Sequence, residues 1–140
     1  MSTYATIVTK TGPKELPAEL NLDNTADCYG NSIIECWEEL TLIAIQLKVR
    51  PLTAFQWTDW DAEESGDDAA PWHDPAPALS SVTVLLQFLQ QSDVARLRGR
   101  LNDRVLNHAN LQWVIFDLAA YEAILKQAVA ESDMFRFEVG

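Results

Sequence analysis

The side chains best suited to chemistry are concentrated between Trp57 and Pro77. From Asp59 to Asp74 the chain carries seven carboxylates (Asp59, Asp61, Glu63, Glu64, Asp67, Asp68 and Asp74) and neither lysine nor arginine. Trp57, Trp60 and Trp72 lie in or beside this run, and His73 adjoins its last acid. Carboxylates bordered by indoles suit a docking surface for a basic protein: charge speeds encounter, and the aromatics supply desolvated anchors. The expected partner-binding residues are therefore Trp57, Asp59, Trp60, Asp61, Glu63, Glu64, Asp67, Asp68, Trp72, His73 and Asp74. The competing expectation is a solvated connection whose tryptophans fold back on the core.

Other chemistries fit these residues less well. Asp59, Asp61 and Glu63 match the opening of a calcium-binding EF-hand loop. However, the sixth position is Glu64 where the turn needs glycine, and the twelfth is Ala70 where a bidentate glutamate is needed. His73 and Asp74, with the neighbouring acids, could serve a small hydrolase or a metal-dependent enzyme. The only other histidine, His108, stands in a polar stretch expected to be an exposed loop, and neither histidine has metal-ligand spacing to a cysteine. No serine elbow, dinucleotide fingerprint or phosphate loop is present among the five glycines. No cofactor or metal is expected.

Positive charge gathers in one place. Arg96, Arg100 and Arg104 fall at i, i+4 and i+8, one row on a helix, and suit an anion or acidic partner. A solvated face partly balanced by Asp93 and Asp103 is the plainer expectation. Docking of this row on the acidic segment is a third, with about 0–1 kcal/mol per exposed pair.

The formal charge is −11, with 10 basic and 21 acidic residues. That balance argues against a nucleic-acid partner, which would need a phosphate-neutralising surface. No stretch reaches the roughly 20 apolar residues of a membrane span, and the first residues lack the basic and apolar regions of a signal peptide. Cys28 and Cys36 do not form a disulfide framework, so a reduced, cytoplasmic setting is expected.

The elements that must position these residues read as one α+β domain over residues 1–140, interrupted by a long acidic loop at about 59–77. Thr3–Thr9 is rich in β-branched residues and ends at Gly12-Pro13, a strand followed by a turn. Residues 12–30 read as an irregular connection. Ser32 and Glu35 form a capping-box pattern ahead of Ile33, Cys36, Trp37, Leu40, Ile43, Ala44 and Leu47, one helical stripe. Ile34 and Ile45 widen that stripe, so cover on more than one side is expected, and Pro51 ends the helix. Leu52–Thr58 reads as a strand. Pro71, Pro75 and Pro77 point to irregular backbone. Ala78–Gln91 is the next predicted helix, capped by Ser80 or Ser81, and a shorter one follows from Asp93 to Val105.

Leu111–Phe116 is an almost unbroken run of large residues, expected to be a strand buried on both faces. Asp117 would then cap a helix bearing Leu118, Tyr121, Leu125 and Ala128. Met134–Val139 alternates apolar and polar residues, the pattern of a half-buried strand. The fold expected is a mixed sheet of about four strands covered by helices, with a C-terminal strand-helix-strand unit and both terminal strands in the same sheet. The function expected is a small, acidic, non-enzymatic interaction module of inhibitor or immunity type; the hydrolase or metal-dependent reading is the alternative.

Overall fold

A computed structural model describes residues 5–12, 33–58, 72–91 and 108–139. The elements in chain order are β1 (Ala5–Thr9), a 3₁₀ turn (Ile33–Cys36), α1 (Trp37–Gln46), a second 3₁₀ turn (Leu52–Phe55), β2 (Gln56–Thr58), α2 (Pro75–Gln91), α3 (His108–Ala130) and β3 (Phe135–Val139). Helix and strand share one hydrophobic core, and no helix among the described residues is long and apolar enough to cross a membrane.

The last strand is the middle of the sheet, whose order is β1-β3-β2. β1 runs antiparallel to β3, with Ala5 opposite Val139 and Thr9 opposite Phe135. β2 runs parallel to β3, with Gln56 opposite Phe137 and Thr58 opposite Val139. The terminal strands do share a sheet, as their apolar content requires. Three strands pair among the described residues, where about four were expected.

Alternation along β3 decides which face is core. Phe135 and Phe137 are fully buried, Val139 nearly so, and Arg136 and Glu138 take the opposite face, half-buried. The Phe137 ring meets Tyr121 at 5.0 Å, Phe135 at 5.2 Å and Trp37 at 5.8 Å, so β3, α1 and α3 converge on one aromatic cluster. α2 and α3 pack along each other, with Val82, Leu85, Leu86 and Leu89 facing the core from one and Val114, Leu118, Tyr121 and Leu125 from the other. At the edge of this contact Thr83 Oγ1 donates to Glu122 Oε2 at 2.9 Å.

Several local expectations give way to longer-range structure. Leu111–Phe116 is helical, part of α3, so the C-terminal unit is helix followed by strand rather than strand-helix-strand. An apolar run has no phase, and burial supplies it: Val114, Asp117, Leu118, Tyr121, Leu125 and Ala128 are buried at helical spacing, while Gln112 and Trp113 face outward. His108, expected in a loop, is the first residue of that helix. α2 starts at Pro75, not Ala78. Pro75 and Pro77 occupy the first turn, where a missing N–H removes no helical hydrogen bond. The cap is Asp74, whose Oδ1 accepts from the Ala76 N–H at 3.0 Å; Ser81, an expected cap, instead donates to the Pro77 carbonyl inside the helix.

The α1 stripe is buried at Ile33, Cys36, Trp37, Leu40, Ile43 and Ala44, with Leu47 half-buried. The wider cover expected from Ile34 and Ile45 is present at one of them: Ile34 packs half-buried against the core, while Ile45 is 58% exposed and Leu42 61%. Leu52–Phe55, expected as strand, is a 3₁₀ turn, and pairing begins only at Gln56. The shorter helix expected from Asp93 to Val105, the expected connection beyond Gly12 with Cys28, and both side chains of the capping box, Ser32 and Glu35, lie outside what is described.

Candidate functional site

The acidic segment is attached to the sheet at both ends, and both attachments use the same edge of β3. Phe135, Phe137 and Val139 direct their backbone groups away from β1. β2 pairs with the last two at its start and end, and Trp57 falls opposite Glu138 in that register. Further along the edge, the His73 N–H donates to the Phe135 carbonyl at 2.8 Å and the Phe135 N–H to the His73 carbonyl at 3.0 Å. Thr58 and His73 thus stand beside residues four apart on one strand, a separation of roughly 13 Å at the usual strand rise.

Each residue of Trp72–Asp74 has a separate hold. The Arg136 guanidinium lies over the Trp72 ring at 4.4 Å. From there Arg136 Nη2 and Nε donate to Glu138 Oε2 at 2.9 and 3.0 Å, so the guanidinium links the indole on its face to the carboxylate at its edge on the second face of β3. The His73 ring turns toward the core side, 5.4 Å from Phe55 at nearly a right angle and 6.3 Å from Phe135. Its pKa is held below the ordinary imidazole value, first by burial and then by the positive charge of Arg50. At neutral pH the ring is therefore uncharged. Asp74 is exposed and caps α2, the position where a carboxylate also meets the positive end of the helix dipole.

Of the pair that an enzyme reading would use, Asp74 bonds the Ala76 N–H through its carboxylate, while His73 bonds Phe135 through its main chain and packs its imidazole on Phe55 and Phe135. Among the described residues no three of His, Cys, Asp or Glu gather closely enough to hold a metal ion. Asp59, Trp60, Asp61, Glu63, Glu64, Asp67, Asp68, Arg96, Arg100 and Arg104 lie outside the described residues.

Beside the capped end of α2 is a cavity of about 340 Å³ lined by Asp74, Pro75, Val129, Ser132, Asp133 and Met134. Asp133 is buried, with Oδ2 accepting from Thr11 Oγ1 at 2.5 Å and Oδ1 from the Met134 N–H at 2.8 Å. Sequence reasoning missed this wall, and it missed Arg50, Phe55 and Arg136 around the junction. Arg136 carried only the signal of the outward positions of an alternating strand. That signal marks a face and not a partner.

No known protein family, no curated protein and no solved structure matches this chain.

Proposed function

We propose that this protein is a non-enzymatic interaction module, of inhibitor or immunity type, that holds a basic protein through the acidic segment from Asp59 to Asp74. One observation carries the reading: seven of the carboxylates behind a net charge of −11 sit in a single stretch free of lysine and arginine. The attachment of that stretch supports it. Its flanks bind to one edge of a central strand, which limits how far its two ends can separate and lowers the entropy lost on binding. Trp72, half-buried and stacked on Arg136, and the exposed Asp74 present one indole and one carboxylate at the rooted end.

Charge and aromatic contact divide the work in this reading. The carboxylates steer a positively charged partner and act on the association rate. Trp72 contributes contact area and acts on dissociation. The test is to replace Asp61, Glu63, Glu64, Asp67 and Asp68 by Asn or Gln, capture partners from the native host, and measure association at two salt concentrations. The expected outcome is capture of a basic protein by the wild type, with association slowed about tenfold or more at low salt in the neutralised variant. Folding stability should change little, because exposed charges contribute about 0–1 kcal/mol. Unchanged association rates at both salt concentrations would overturn the proposal, as would capture that excludes basic proteins.

A further inference from the structure

The junction that roots Trp72–Asp74 depends on one titratable residue. His73 supplies both backbone bonds to Phe135, at 2.8 and 3.0 Å. Its imidazole packs against Phe55 and Phe135, with ring centroids 5.4 and 6.3 Å away. Phe55 also carries the Arg50 guanidinium, 5.8 Å from the ring centre. We propose that this junction is acid-sensitive: protonation of His73 opens the His73–Phe135 bridge and releases Trp72–Asp74 from the edge of β3.

Two features of the site penalise the protonated ring. A charged imidazole would lose hydration beside the Phe55 and Phe135 rings, and it would be repelled by the positive charge of Arg50 on Phe55. The remaining charges around the junction are engaged elsewhere. Asp74 Oδ1 accepts from the Ala76 N–H, Asp133 bonds Thr11 and the Met134 N–H, and Arg136 lies under Trp72 and pairs with Glu138 on the opposite face of β3. The lowered pKa of His73 has the same two causes, burial before Arg50.

The direction of the effect follows from which state binds the proton more readily. The attached junction holds His73 below the value of about 6.5 that it takes once released, so the released form gains protons first as pH falls. The bridge is at full strength above that value and is lost as pH falls through the lowered one. The ring and both backbone bonds belong to one residue, so hydrating the cation favours conformers in which residue 73 leaves the strand edge.

Amide exchange on the intact chain, followed by NMR between about pH 7.5 and pH 5, reads the bridge directly, because both donors are amides. Protection at His73 and Phe135 should fall several-fold together, with a midpoint matching the titration of the His73 ring protons. Lys10, whose N–H donates to the Met134 carbonyl on the β1 side of β3, should keep its protection and serves as the reference. In His73→Phe, which keeps an aromatic ring and removes the titration, Phe135 should lose its pH dependence. Arg50→Gln should move the wild-type midpoint to higher pH, so the proposal stays testable if His73→Phe does not fold. Constant protection in the wild type, an equal fall at Lys10, or a fall that persists in His73→Phe would each overturn it.

Discussion

Two buried polar side chains on α3 tie distant parts of the chain together. Tyr121 is fully buried, and its hydroxyl donates to the Ala5 carbonyl, fixing the start of β1 to the helix. Four residues earlier, the Asp117 carboxylate accepts from the Ile33 N–H at 3.1 Å, satisfying a donor at the start of the 3₁₀ turn that leads into α1. Asp117 is thus a cap, as its type suggests, but for a segment 84 residues away rather than for its own helix. Residue type was legible in the sequence and the partner was not, because a cap's preference for a backbone N–H carries no address. Burial first, then the charges of Asp117 and Cys36, push the Tyr121 pKa well above 10.0. Tyr121→Phe should therefore cost about 1–2 kcal/mol in urea denaturation, since it leaves the Ala5 carbonyl without this donor. The wild type should also lose stability as pH rises above about 10, where the unfolded tyrosine ionises and the folded one does not. The phenylalanine variant should show a shallower loss over that range, and an identical slope would mean that Tyr121 is not the group responsible.

At the scale of elements, α1 and α3 end in the same way. The Val49 N–H reaches the Ala44 carbonyl and the Lys48 N–H the Ile45 carbonyl, at 3.0 and 3.2 Å. Asp133 and Ser132 repeat the pattern on Ala128 and Val129, at 2.9 and 3.2 Å. Both are Schellman closures, which put the residue after the cap in the left-handed region: Lys48 has φ 62° and Ser132 φ 55°. Neither is glycine, so both helices end with a Cβ in a disfavoured place. Lys48→Gly and Ser132→Gly should each raise stability by about 0.5–1 kcal/mol in chemical denaturation, with additive effects. A loss at either position would show that side-chain contacts there outweigh the backbone gain. The absence of glycine also explains why these stops were hard to read. Pro51 marked the end of α1 from outside, while nothing comparable follows Ala130. The strand whose two faces differ, β3, was legible residue by residue. Leu111–Phe116 was not, because its helical phase depends on packing against α2 rather than on its own composition.

The whole molecule joins a strong compositional signal to a weak positional one. The acidic segment stands out by counting alone, since it contributes −7 and leaves −4 for the other residues. Its attachment could not be counted: His73 bonds Phe135, Trp72 stacks on Arg136, and each pair is separated by more than sixty positions. Periodicity assigns residues to faces, and pairing across such distances is settled only when the core closes. Ala5 opposite Val139 is the extreme case. That register gives the molecule a preferred direction of mechanical weakness. Tension between residues 5 and 139 acts at one end of the β1–β3 ladder and peels it one rung at a time. Tension between residues 10 and 139 pulls from opposite ends, slides the strands past each other and loads every rung together. In single-molecule stretching, handles at 5 and 139 should open the ladder at a clearly lower force than handles at 10 and 139. Equal forces would place the mechanical resistance outside these two strands.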